Sequence, residues 1–250
     1  MELGLEGKVA IVTGGSKGIG RATALGLAQE GANVAICARG VEDLEMAAAE
    51  ISELTGRTIL PVRADMTMLE DIQNLVATTV AELGGVDILV NNAAVPAGGP
   101  VPPLAELTEE HFFSDMNVKV MGYLRCARDV APIMIEQKSG TIINISTFAA
   151  FEPDPIFPTS GVMRAGLAAY TKLFADKYAA DNVRMNNVLP GFIDSLPENA
   201  DWKARVPMGR YGSSYGEIAA TWQNQIKTEW DSRTDRSYLA TMPPLMHPVG

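Results

Sequence analysis

The sequence predicts an α/β fold, with one doubly wound parallel sheet flanked by helices on both faces. Short, almost uninterrupted apolar runs recur along the chain, and segments with helical spacing of apolar residues lie between them. Runs that are apolar throughout are typical of strands covered on both faces, and alternation of strand and helix favours parallel pairing. Because 47% of the 250 residues are hydrophobic, the chain can bury one sizeable core, and we expect one domain over residues 1–250.

The predicted strands are short and rich in β-branched residues. They cover residues 8–13, 33–37, 58–62, 86–90, 141–145 and 183–188. The predicted helices have apolar side chains at intervals of three and four residues. They cover residues 20–30, 44–54, 69–83, 109–136 and 160–180. Two proline-rich segments, residues 96–103 and 151–158, are predicted to be loops at the carboxyl ends of strands, where such sheets bind ligands.

Composition and charge argue against several classes of protein. The formal net charge of −10 would repel a polyanion, so we expect no nucleic-acid partner. No run reaches the ~18 consecutive apolar residues of a membrane span, and the first residues carry acids where a secretory signal carries bases. Cys37 and Cys126 lack the spacing of metal ligands, which predicts reduced core thiols and no metal site. We therefore expect a cytoplasmic protein with no membrane contact.

The glycine loop, residues 13–20, reads TGGSKGIG between the first predicted strand and the first predicted helix. Gly14 permits a tight turn, Gly18 lets a pyrophosphate approach the backbone, and Gly20 lets the helix pack on the sheet. The helix N-terminus supplies N–H donors and partial positive charge for the anion. A glycine-rich run can also be a simple turn, but its place between strand and helix favours a Rossmann-type dinucleotide site.

The end of the second predicted strand bears on which dinucleotide binds. A fold that prefers NAD places Asp or Glu there, to accept from the ribose 2′-hydroxyl. This chain has no acid at that point but has Arg39, and Lys17 lies in the glycine loop. Two cations can hold a 2′-phosphate through charge-assisted hydrogen bonds, although Arg39 can also be read as a solvated surface residue. We therefore expect NADP(H) rather than NAD(H).

Five motifs, in order, resemble those of the short-chain dehydrogenase/reductase family over roughly residues 5–221. The glycine loop is similar to the family's TGxxxGxG, and the sequence NNAA at residues 91–94 is similar to its NNAG. Asp65 follows the third strand, where the family contacts adenine. Asn117 matches the helical asparagine that organises a proton-relay water. The PG segment, residues 190–195, is similar to the motif that holds the nicotinamide carboxamide, with Ser195 for the usual threonine.

The resemblance implies both a cofactor site and an altered active site. The implied cofactor-binding residues are Gly14, Ser16, Lys17, Gly18, Ile19, Gly20, Arg39, Asp65, Met66, Asn92, Ala93, Arg164, Pro190, Gly191, Ile193 and Ser195. The family's active site has a serine, a tyrosine thirteen positions later and a lysine four beyond that. These positions fall on Thr147, Ser160 and Arg164, and no Tyr-x-x-x-Lys occurs in the chain. The predicted catalytic set is therefore Asn117, Thr147, Ser160 and Arg164.

The missing tyrosine changes the expected proton chemistry. A phenol starts from a pKa of ~10, within reach of active-site shifts, whereas a serine hydroxyl is far less acidic. Arg164 can still hold ribose hydroxyls, and Thr147 can polarise a substrate carbonyl. Replacement proton donors are Glu152 and Asp154 in the loop at residues 151–158, although both can be ordinary solvated acids. Further candidates, each also explained as a packing or surface residue, are Tyr211, Tyr215 and His111.

The tail, residues 222–250, departs from the family pattern. The family continues with an apolar helix and a last strand, whereas the end of this tail has too many prolines for a central strand. Trp222, Ile226 and Trp230 share one helical face, so a helix can continue there. Loss of the last strand would expose a sheet edge and alter the family's usual tetramer surface. We expect a homo-oligomer, a dimer or a tetramer, with a non-standard interface or a docked tail.

Three functions are compatible with these residues. The first is an NADP(H)-dependent oxidoreductase acting on a small carbonyl or alcohol substrate. The second is a protein without ordinary redox activity on the same scaffold, either a cofactor-binding regulator or an enzyme of isomerisation or elimination. The third is an inactive subunit of a hetero-oligomer. The glycine loop, Asn117 and the PG segment favour the first two, and the missing tyrosine favours the last two. Taken together, the motifs favour the oxidoreductase.

Overall fold

The computed structural model describes residues 4–94 and 102–214. Its six strands are β1 (Val9–Thr13), β2 (Asn33–Ala38), β3 (Ile59–Arg63), β4 (Ile88–Asn91), β5 (Gly140–Ile145) and β6 (Val183–Val188). They form one parallel sheet in the order β3-β2-β1-β4-β5-β6, which confirms the predicted doubly wound sheet. The direction of winding reverses between β1 and β4, and a crevice therefore opens at the carboxyl ends of these strands.

Helices cover both faces of the sheet. They are α1 (Gly18–Gln29), α2 (Val41–Thr55), α3 (Leu69–Leu83), α4 (Glu109–Met116), α5 (Tyr123–Gln137), α6 (Pro158–Tyr178) and α7 (Ala200–Ala204). Leu27 of α1 and Ile51 of α2 belong to one buried core, whereas Leu75 of α3, Val130 of α5 and Phe174 of α6 belong to the other. Within the described ranges, no helix has the length and apolarity needed to cross a membrane.

The central strands are apolar throughout because each of them contributes to both cores. Val12 of β1 faces the core of α1 and α2, where it pairs in register with Ile36 of β2 and Val90 of β4. The preceding residue, Ile11, faces the opposite core together with Leu89. Successive side chains of a strand point to opposite faces, so a sheet that is covered twice needs apolar residues at every position.

The segment predicted as one helix over residues 109–136 is interrupted. A π-helical turn, Asn117–Gly122, separates α4 from α5. The wider turn changes the directions in which the side chains before and after it point, and such turns are frequent at functional sites. The prediction of one uninterrupted α-helix was wrong here. The spacing of apolar residues continues through residues 117–122 and gives no sign of a π-helical turn.

Both cysteines are free and buried, in agreement with the prediction of core thiols. Burial raises the pKa of the Cys37 thiol to about 12 and also raises the pKa of Cys126. Both thiols therefore stay protonated at neutral pH, and neither has the thiolate character of a nucleophile or a metal ligand. Among the described residues, no group of three or more potential ligands is placed to hold a metal ion.

Two predictions concern segments outside the described residues. The tail at residues 222–250 lies there, and so does the expected helical face of Trp222, Ile226 and Trp230. Most of the predicted loop at residues 96–103 also lies there, because only positions 102 and 103 are described. The non-standard interface expected from the tail therefore stays a prediction.

Buried polar side chains cross the sheet near the carboxyl ends of β4, β5 and β6. The register places Asn91, Asn144 and Asn187 side by side. The Asn91 amide donates to Asn144 Oδ1 at 3.0 Å, and the Asn144 amide donates to Asn187 Oδ1 at 3.2 Å and to Thr171 Oγ1 at 3.1 Å. This network joins three strands to α6 immediately before the chain segments that enter the crevice.

Replacement of Asn144 by leucine should destabilise the fold, because Asn91, Asn187 and Thr171 each lose a buried hydrogen-bond partner. A buried group left without any partner costs about 1–3 kcal/mol, but Asn91, Asn187 and Thr171 each keep one other hydrogen bond. We therefore expect Asn144→Leu to lower the free energy of unfolding by about 2–4 kcal/mol in urea denaturation, less than three full losses would give. The matched control is Asn74→Leu on the exposed face of α3, which should change it by less than about 0.5 kcal/mol. Equal effects of the two substitutions would contradict the prediction.

Candidate active site

A cavity of about 960 Å³ opens at the carboxyl ends of the strands. Four of the chain segments in its walls follow a strand or begin a helix. Ile19 comes from the start of α1, Asn92 follows β4, Thr147 follows β5 and Gly191 follows β6. Since these strands are parallel, their ends meet at one edge of the sheet, which is where the switch in strand order predicts a ligand.

Asn92 fixes the shape of the glycine loop. Its side-chain amide donates to the carbonyl oxygens of Thr13 at 3.0 Å and Gly14 at 3.2 Å, and its backbone N–H donates to Thr13 Oγ1 at 2.9 Å. The loop turns so tightly that a Cβ added to Gly20 would lie 2.1 Å from the Gly14 carbonyl oxygen. Any side chain at position 20 would therefore force the loop open; the close contact is with the loop and with Asn92, whereas we predicted packing of the helix on the sheet.

The start of α1 is built to receive an anion. Gly18 begins the helix with a positive φ of 53°, and no side chain of the described residues caps this N-terminus. A Cβ on Gly18 would lie 3.2 Å from Ser195 Cβ, so the glycine loop faces the PG segment across a narrow gap. Backbone N–H groups left open beside a glycine fit a pyrophosphate group.

The structure brings part of the predicted cofactor set to this cavity. Those that line it are Ile19, Asn92, Arg164, Pro190, Gly191, Ile193 and Ser195. The remaining predicted residues belong to the glycine loop or follow β2, β3 and β4, and they are not among the residues that line the cavity. They are Gly14, Ser16, Lys17, Gly18, Gly20, Arg39, Asp65, Met66 and Ala93. Met66 is a buried core side chain, whose position leaves only its backbone for any contact with a ligand.

The residues predicted to select the cofactor are Lys17 in the glycine loop and Arg39 after β2, and both lie on the surface. Lys17 is 71% exposed, and its Nζ lies 2.6 Å from a carboxylate oxygen of Asp43, a partner that sequence reasoning missed. Arg39 is also exposed. Asp65 accepts hydrogen bonds from the Thr67 N–H and hydroxyl. The bond from the Thr67 N–H is the main cause that lowers the pKa of Asp65, and the charge of Arg39 adds to it.

Three of the four predicted catalytic residues meet at the cavity. Thr147, Ser160 and Arg164 all line it, although they come from two elements. Thr147 Oγ1 accepts from the N–H of Ala149 at 3.4 Å and caps a short 3-10 helix, Phe148–Ala150, which leaves its own proton available for a ligand. The structure therefore places two hydroxyls and one guanidinium at one wall.

Arg164 is held in place by the protein itself. Its side chain is buried, with Nη1 donating to the Ile145 carbonyl at 2.6 Å and Nη2 donating to the Tyr123 hydroxyl at 3.2 Å. The guanidinium also lies over the Tyr123 ring, 4.8 Å from its centroid. Burial raises the pKa of Tyr123 although Arg164 opposes the change, so this phenol stays protonated. Tyr123 does not line the cavity, but it contacts two residues that do, Arg164 and Ile145, whose carbonyl accepts from the Tyr123 hydroxyl at 3.3 Å.

The fourth predicted catalytic residue, Asn117, is not among the residues that line the cavity. It lies at the start of the π-helical turn, and its Oδ1 accepts from Arg125 Nη1 at 2.9 Å. The same turn carries Lys119, which does line the cavity. The widened backbone thus brings Lys119, rather than Asn117, to the site.

Lys119 belongs to a cluster that sequence reasoning missed, the acid–lysine cluster of Asp115, Lys119, Thr159 and Ser160. Lys119 Nζ lies 2.7 Å from Asp115 Oδ1 and donates to Ser160 Oγ at 2.6 Å. Ser160 and Thr159 each donate to Asp115 Oδ2, at 3.1 Å and 2.7 Å. The i,i+4 spacing of Asp115 and Lys119 was the available signal, since such pairs meet on a helix.

The charges of this cluster perturb each other. Burial alone would raise the pKa of Asp115, but the Lys119 charge and the hydrogen bonds from Lys119, Thr159 and Ser160 outweigh it and lower that pKa. For Lys119, burial is the largest effect and lowers the pKa, Asp115 opposes it, and the charge of Arg164 lowers it further. The cavity wall therefore holds a carboxylate beside an ammonium group that loses its proton more readily than a free lysine does.

The loop acids considered as proton donors are placed otherwise. Asp154 is buried, accepts from the Ile156 N–H at 2.9 Å and forms an ion pair with Arg205. It joins the loop at residues 151–158 to the residues that follow α7. Glu152 is exposed and does not line the cavity. Neither carboxyl group is positioned to give a proton to a ligand in the cavity.

Two of the other candidate donors, Tyr211 and His111, also have structural partners. Tyr211 exchanges hydrogen bonds with the backbone of Asn199, accepting from its N–H at 3.1 Å. His111 closes a capping box with Thr108 at the start of α4, although it lies at the edge of the cavity. Tyr215 lies outside the described residues.

An aromatic wall, formed by Phe148, Phe157, Phe192 and Trp202, supports one part of the cavity. The ring centroids of Phe192 and Trp202 are 5.7 Å apart in a stacked arrangement, and Phe148 meets Phe157 edge-on at 6.0 Å. Phe157 and Trp202 line the cavity directly. This wall is apolar, so the cavity offers a ligand both packed aromatic rings and the polar side chains of the acid–lysine cluster.

Comparison with known proteins gives consistent results. Residues 8–205 match the family described as short chain dehydrogenase. The chain is 35% identical over 215 residues to the 3-oxoacyl-[acyl-carrier-protein] reductase FabG of Thermotoga maritima. The aligned region covers 83% of this chain and 86% of that protein. The solved structure of L-sorbose reductase from Gluconobacter frateurii, complexed with NADPH and L-sorbose, matches with a TM-score of 0.81 and 31% identity over 91% of this chain and 92% of that one. A short-chain type dehydrogenase/reductase from Mycobacterium marinum matches with a TM-score of 0.81 and 31% identity over 89% of each chain.

The glycine loop should not tolerate a methyl group at position 20. Because the added Cβ would meet the Gly14 carbonyl, we expect Gly20→Ala to lower the free energy of unfolding by about 1–3 kcal/mol in urea denaturation. Gly166→Ala is the matched control, since Gly166 lies on an exposed part of α6 with open space around it. That change should raise stability by up to about 1 kcal/mol through helix propensity. Stabilisation by Gly20→Ala would contradict the described loop.

Proposed function

The chain belongs to the short-chain dehydrogenase family of oxidoreductases, and we propose that it uses NADP(H) to interconvert a small carbonyl compound and its alcohol. The observation that carries this proposal is one continuous cavity. It runs from the uncapped N-terminus of α1, past the PG segment, to the hydroxyls of Thr147 and Ser160. A site for a dinucleotide and a site for a polar substrate therefore share one chamber.

The residues present fit a nicotinamide dinucleotide. Gly18 and Ile19 would offer backbone N–H groups to the pyrophosphate, and Ser195 would offer its hydroxyl and backbone to the carboxamide. Arg164 would hold the ribose hydroxyls with the N–H groups that Ile145 and Tyr123 leave open, because a guanidinium has five donors. When bound, the cofactor supplies or accepts the hydride beside the substrate carbon.

NADP(H) is favoured over NAD(H) by the surface at the end of β2. No acid lies there to accept from a 2′-hydroxyl, and Arg39 is exposed where a 2′-phosphate would lie. Lys17 would exchange its ion pair with Asp43 for the phosphate, which limits the gain from this second cation. The description of the L-sorbose reductase as complexed with NADPH supports the same choice.

On the substrate side, the chain's own residues orient a carbonyl group. Thr147 would donate its proton to the carbonyl oxygen, while the N–H of Ala149 holds the hydroxyl in place. The aromatic wall would pack against the carbon skeleton and exclude water from one face. Two relatives are named as a 3-oxoacyl reductase and a sorbose reductase, and both names support a carbonyl substrate. Because one name refers to an acyl chain and the other to a sugar, they leave the substrate's carbon skeleton open.

A second function is favoured by one specific observation, the absence of Tyr-x-x-x-Lys from the chain. Without the phenol the protein would bind the dinucleotide and act as a cofactor-binding regulator, a non-redox enzyme or an inactive subunit. The cavity is compatible with this alternative, because binding needs the glycine loop and the PG segment but not a proton donor. Turnover separates the two functions, since the oxidoreductase must consume NADPH.

The purified protein should bind NADPH and oxidise it in the presence of carbonyl compounds. We suggest fluorescence titration with NADPH, followed by absorbance assays with 3-oxoacyl thioesters, L-sorbose and small aldehydes at several pH values. We expect saturable binding and turnover of at least one class. Binding without turnover of any compound would favour the second function, and the absence of binding would contradict both.

The choice of cofactor should depend on Arg39. Removal of a charge-assisted contact costs about 1.5–3 kcal/mol, so we expect Arg39→Ala to weaken NADPH binding about tenfold or more while NADH binding stays within twofold. Isothermal titration calorimetry with both dinucleotides measures the difference. Arg128→Ala, on an exposed face of α5, is the control and should change neither affinity. An equal loss for both cofactors would contradict a role for Arg39 at a 2′-phosphate.

A further inference from the structure

We propose that Lys119, acting through the hydroxyl of Ser160, supplies the proton that turns the substrate's carbonyl oxygen into a hydroxyl. The inference rests on the proposed function, because it assigns the proton source of that reaction. It also answers the question that the missing tyrosine raises. Ser160 stands where the family's tyrosine would stand, and the structure places an ammonium group directly behind it.

The geometry supports a relay of two groups. Lys119 Nζ donates to Ser160 Oγ at 2.6 Å, and both residues line the cavity. Ser160 in turn donates its single proton to Asp115 Oδ2 at 3.1 Å. Because Thr159 donates to the same carboxylate oxygen at 2.7 Å, Asp115 keeps a partner when the Ser160 proton turns toward a substrate oxygen.

The relay removes the chemical obstacle that serine presents. A serine hydroxyl is too weak an acid to become an alkoxide at working pH. In the relay Ser160 forms no alkoxide, because its oxygen takes a proton from Lys119 as it gives its own proton to the substrate. When bound, NADPH supplies a hydride to the carbonyl carbon, and the carbonyl π pair becomes a lone pair on oxygen. That oxygen takes the Ser160 proton, Ser160 Oγ takes a proton from Lys119 Nζ, and Lys119 becomes a neutral amine that water reprotonates. Oxidation of the alcohol reverses each transfer.

The charges around Lys119 suit this role. Asp115 of α4 and Arg164 of α6 face it, and His111 of α4 lines the same cavity. Burial and the Arg164 charge lower the pKa of Lys119, and Asp115 offsets only part of this. Reduction needs protonated Lys119, so its rate should fall as pH rises through that pKa. Oxidation needs the neutral amine, so its rate should rise over the same range.

A direct measurement of Lys119 tests the proposal without turnover. The full-length protein is prepared with ¹³Cε-labelled lysine, and the resonance of Lys119 is identified by its loss in Lys119→Arg. We expect this resonance to titrate below the ordinary lysine pKa of about 10.4. In Ser160→Ala the same resonance should still be present and titrate, since Asp115 and Arg164 remain. Titration of Lys119 at or above the ordinary value would overturn the proposal.

Three substitutions separate proton donation from a structural role. Lys119→Arg keeps a cation for Asp115 but cannot release a proton at working pH, so we expect it to lose about 10²–10⁴-fold in the rate of carbonyl reduction. Lys119→Met should lose as much, with NADPH affinity within twofold of the wild type. Lys172→Met is the matched control, because it removes an exposed i,i+4 ion pair with Asp176 on α6 and should leave the rate within twofold.

Rescue by small amines makes the test specific. In folded Lys119→Ala, ethylamine and weaker primary amines should restore part of the rate, and the pH profile should follow the pKa of the added amine. Near-normal activity of Lys119→Arg, or failure of every amine to restore activity, would overturn the proposal. These failures differ from a failure of the proposed function, in which the wild-type protein itself would reduce no carbonyl compound.

Discussion

The hydrogen bonds from Asn92 to the carbonyls of Thr13 and Gly14 join the ends of β1 and β4 at the point where the sheet changes its direction of winding. Without them, the glycine loop would be free to move away from the crevice. The backbone N–H groups at the start of α1 would then no longer point into it. Because the loop is so tight that Gly20 has no room for a Cβ, the arrangement is rigid. The rest of the cavity is built outward from this fixed edge, which sets the place of any dinucleotide.

The part of the cavity formed by the loop at residues 151–158 and the aromatic wall is stabilised by an ion pair and by a cation–π contact. Asp154 is removed from solvent, and its ion pair with Arg205 ties the loop at residues 151–158 to the residues that follow α7. The guanidinium of Arg205 also lies over the Phe192 ring, 5.7 Å from its centroid, so one side chain links the ion pair to the aromatic wall. The same cavity is lined by Thr147, Ser160 and Lys119, which carry the exchangeable protons of our proposal. The chemistry of the site thus depends on groups held by scaffolding that does not itself react.

In our proposal, the serine at position 160 and the π-helical turn between α4 and α5 belong together. A serine hydroxyl is a far weaker acid than a phenol, so Ser160 beside the fixed charge of Arg164 needs a further proton source. The π-helical turn between α4 and α5 brings Lys119 to that position and leaves Asn117 bound to Arg125. Arg164 keeps a function in this arrangement, because its charge lowers the pKa of Lys119, and the buried Tyr123 holds it in place. In our proposal, a lysine and a serine together do what one phenol does elsewhere.

The order of strands and helices and the shape of the glycine loop were determined by the sequence alone, since they depend on local patterns of apolar residues and on positions that only glycine can occupy. The resemblance to the family singled out Thr147, Ser160 and Arg164, and all three line the cavity. Only the tertiary structure decided that Lys119 meets Ser160, forty-one residues later in the chain, and that Lys17 pairs with Asp43. It also decided that Asn117 turns away from the cavity. Side-chain partners across elements depend on how helices are rotated and packed, and a single wider turn changes that rotation without changing the apolar pattern.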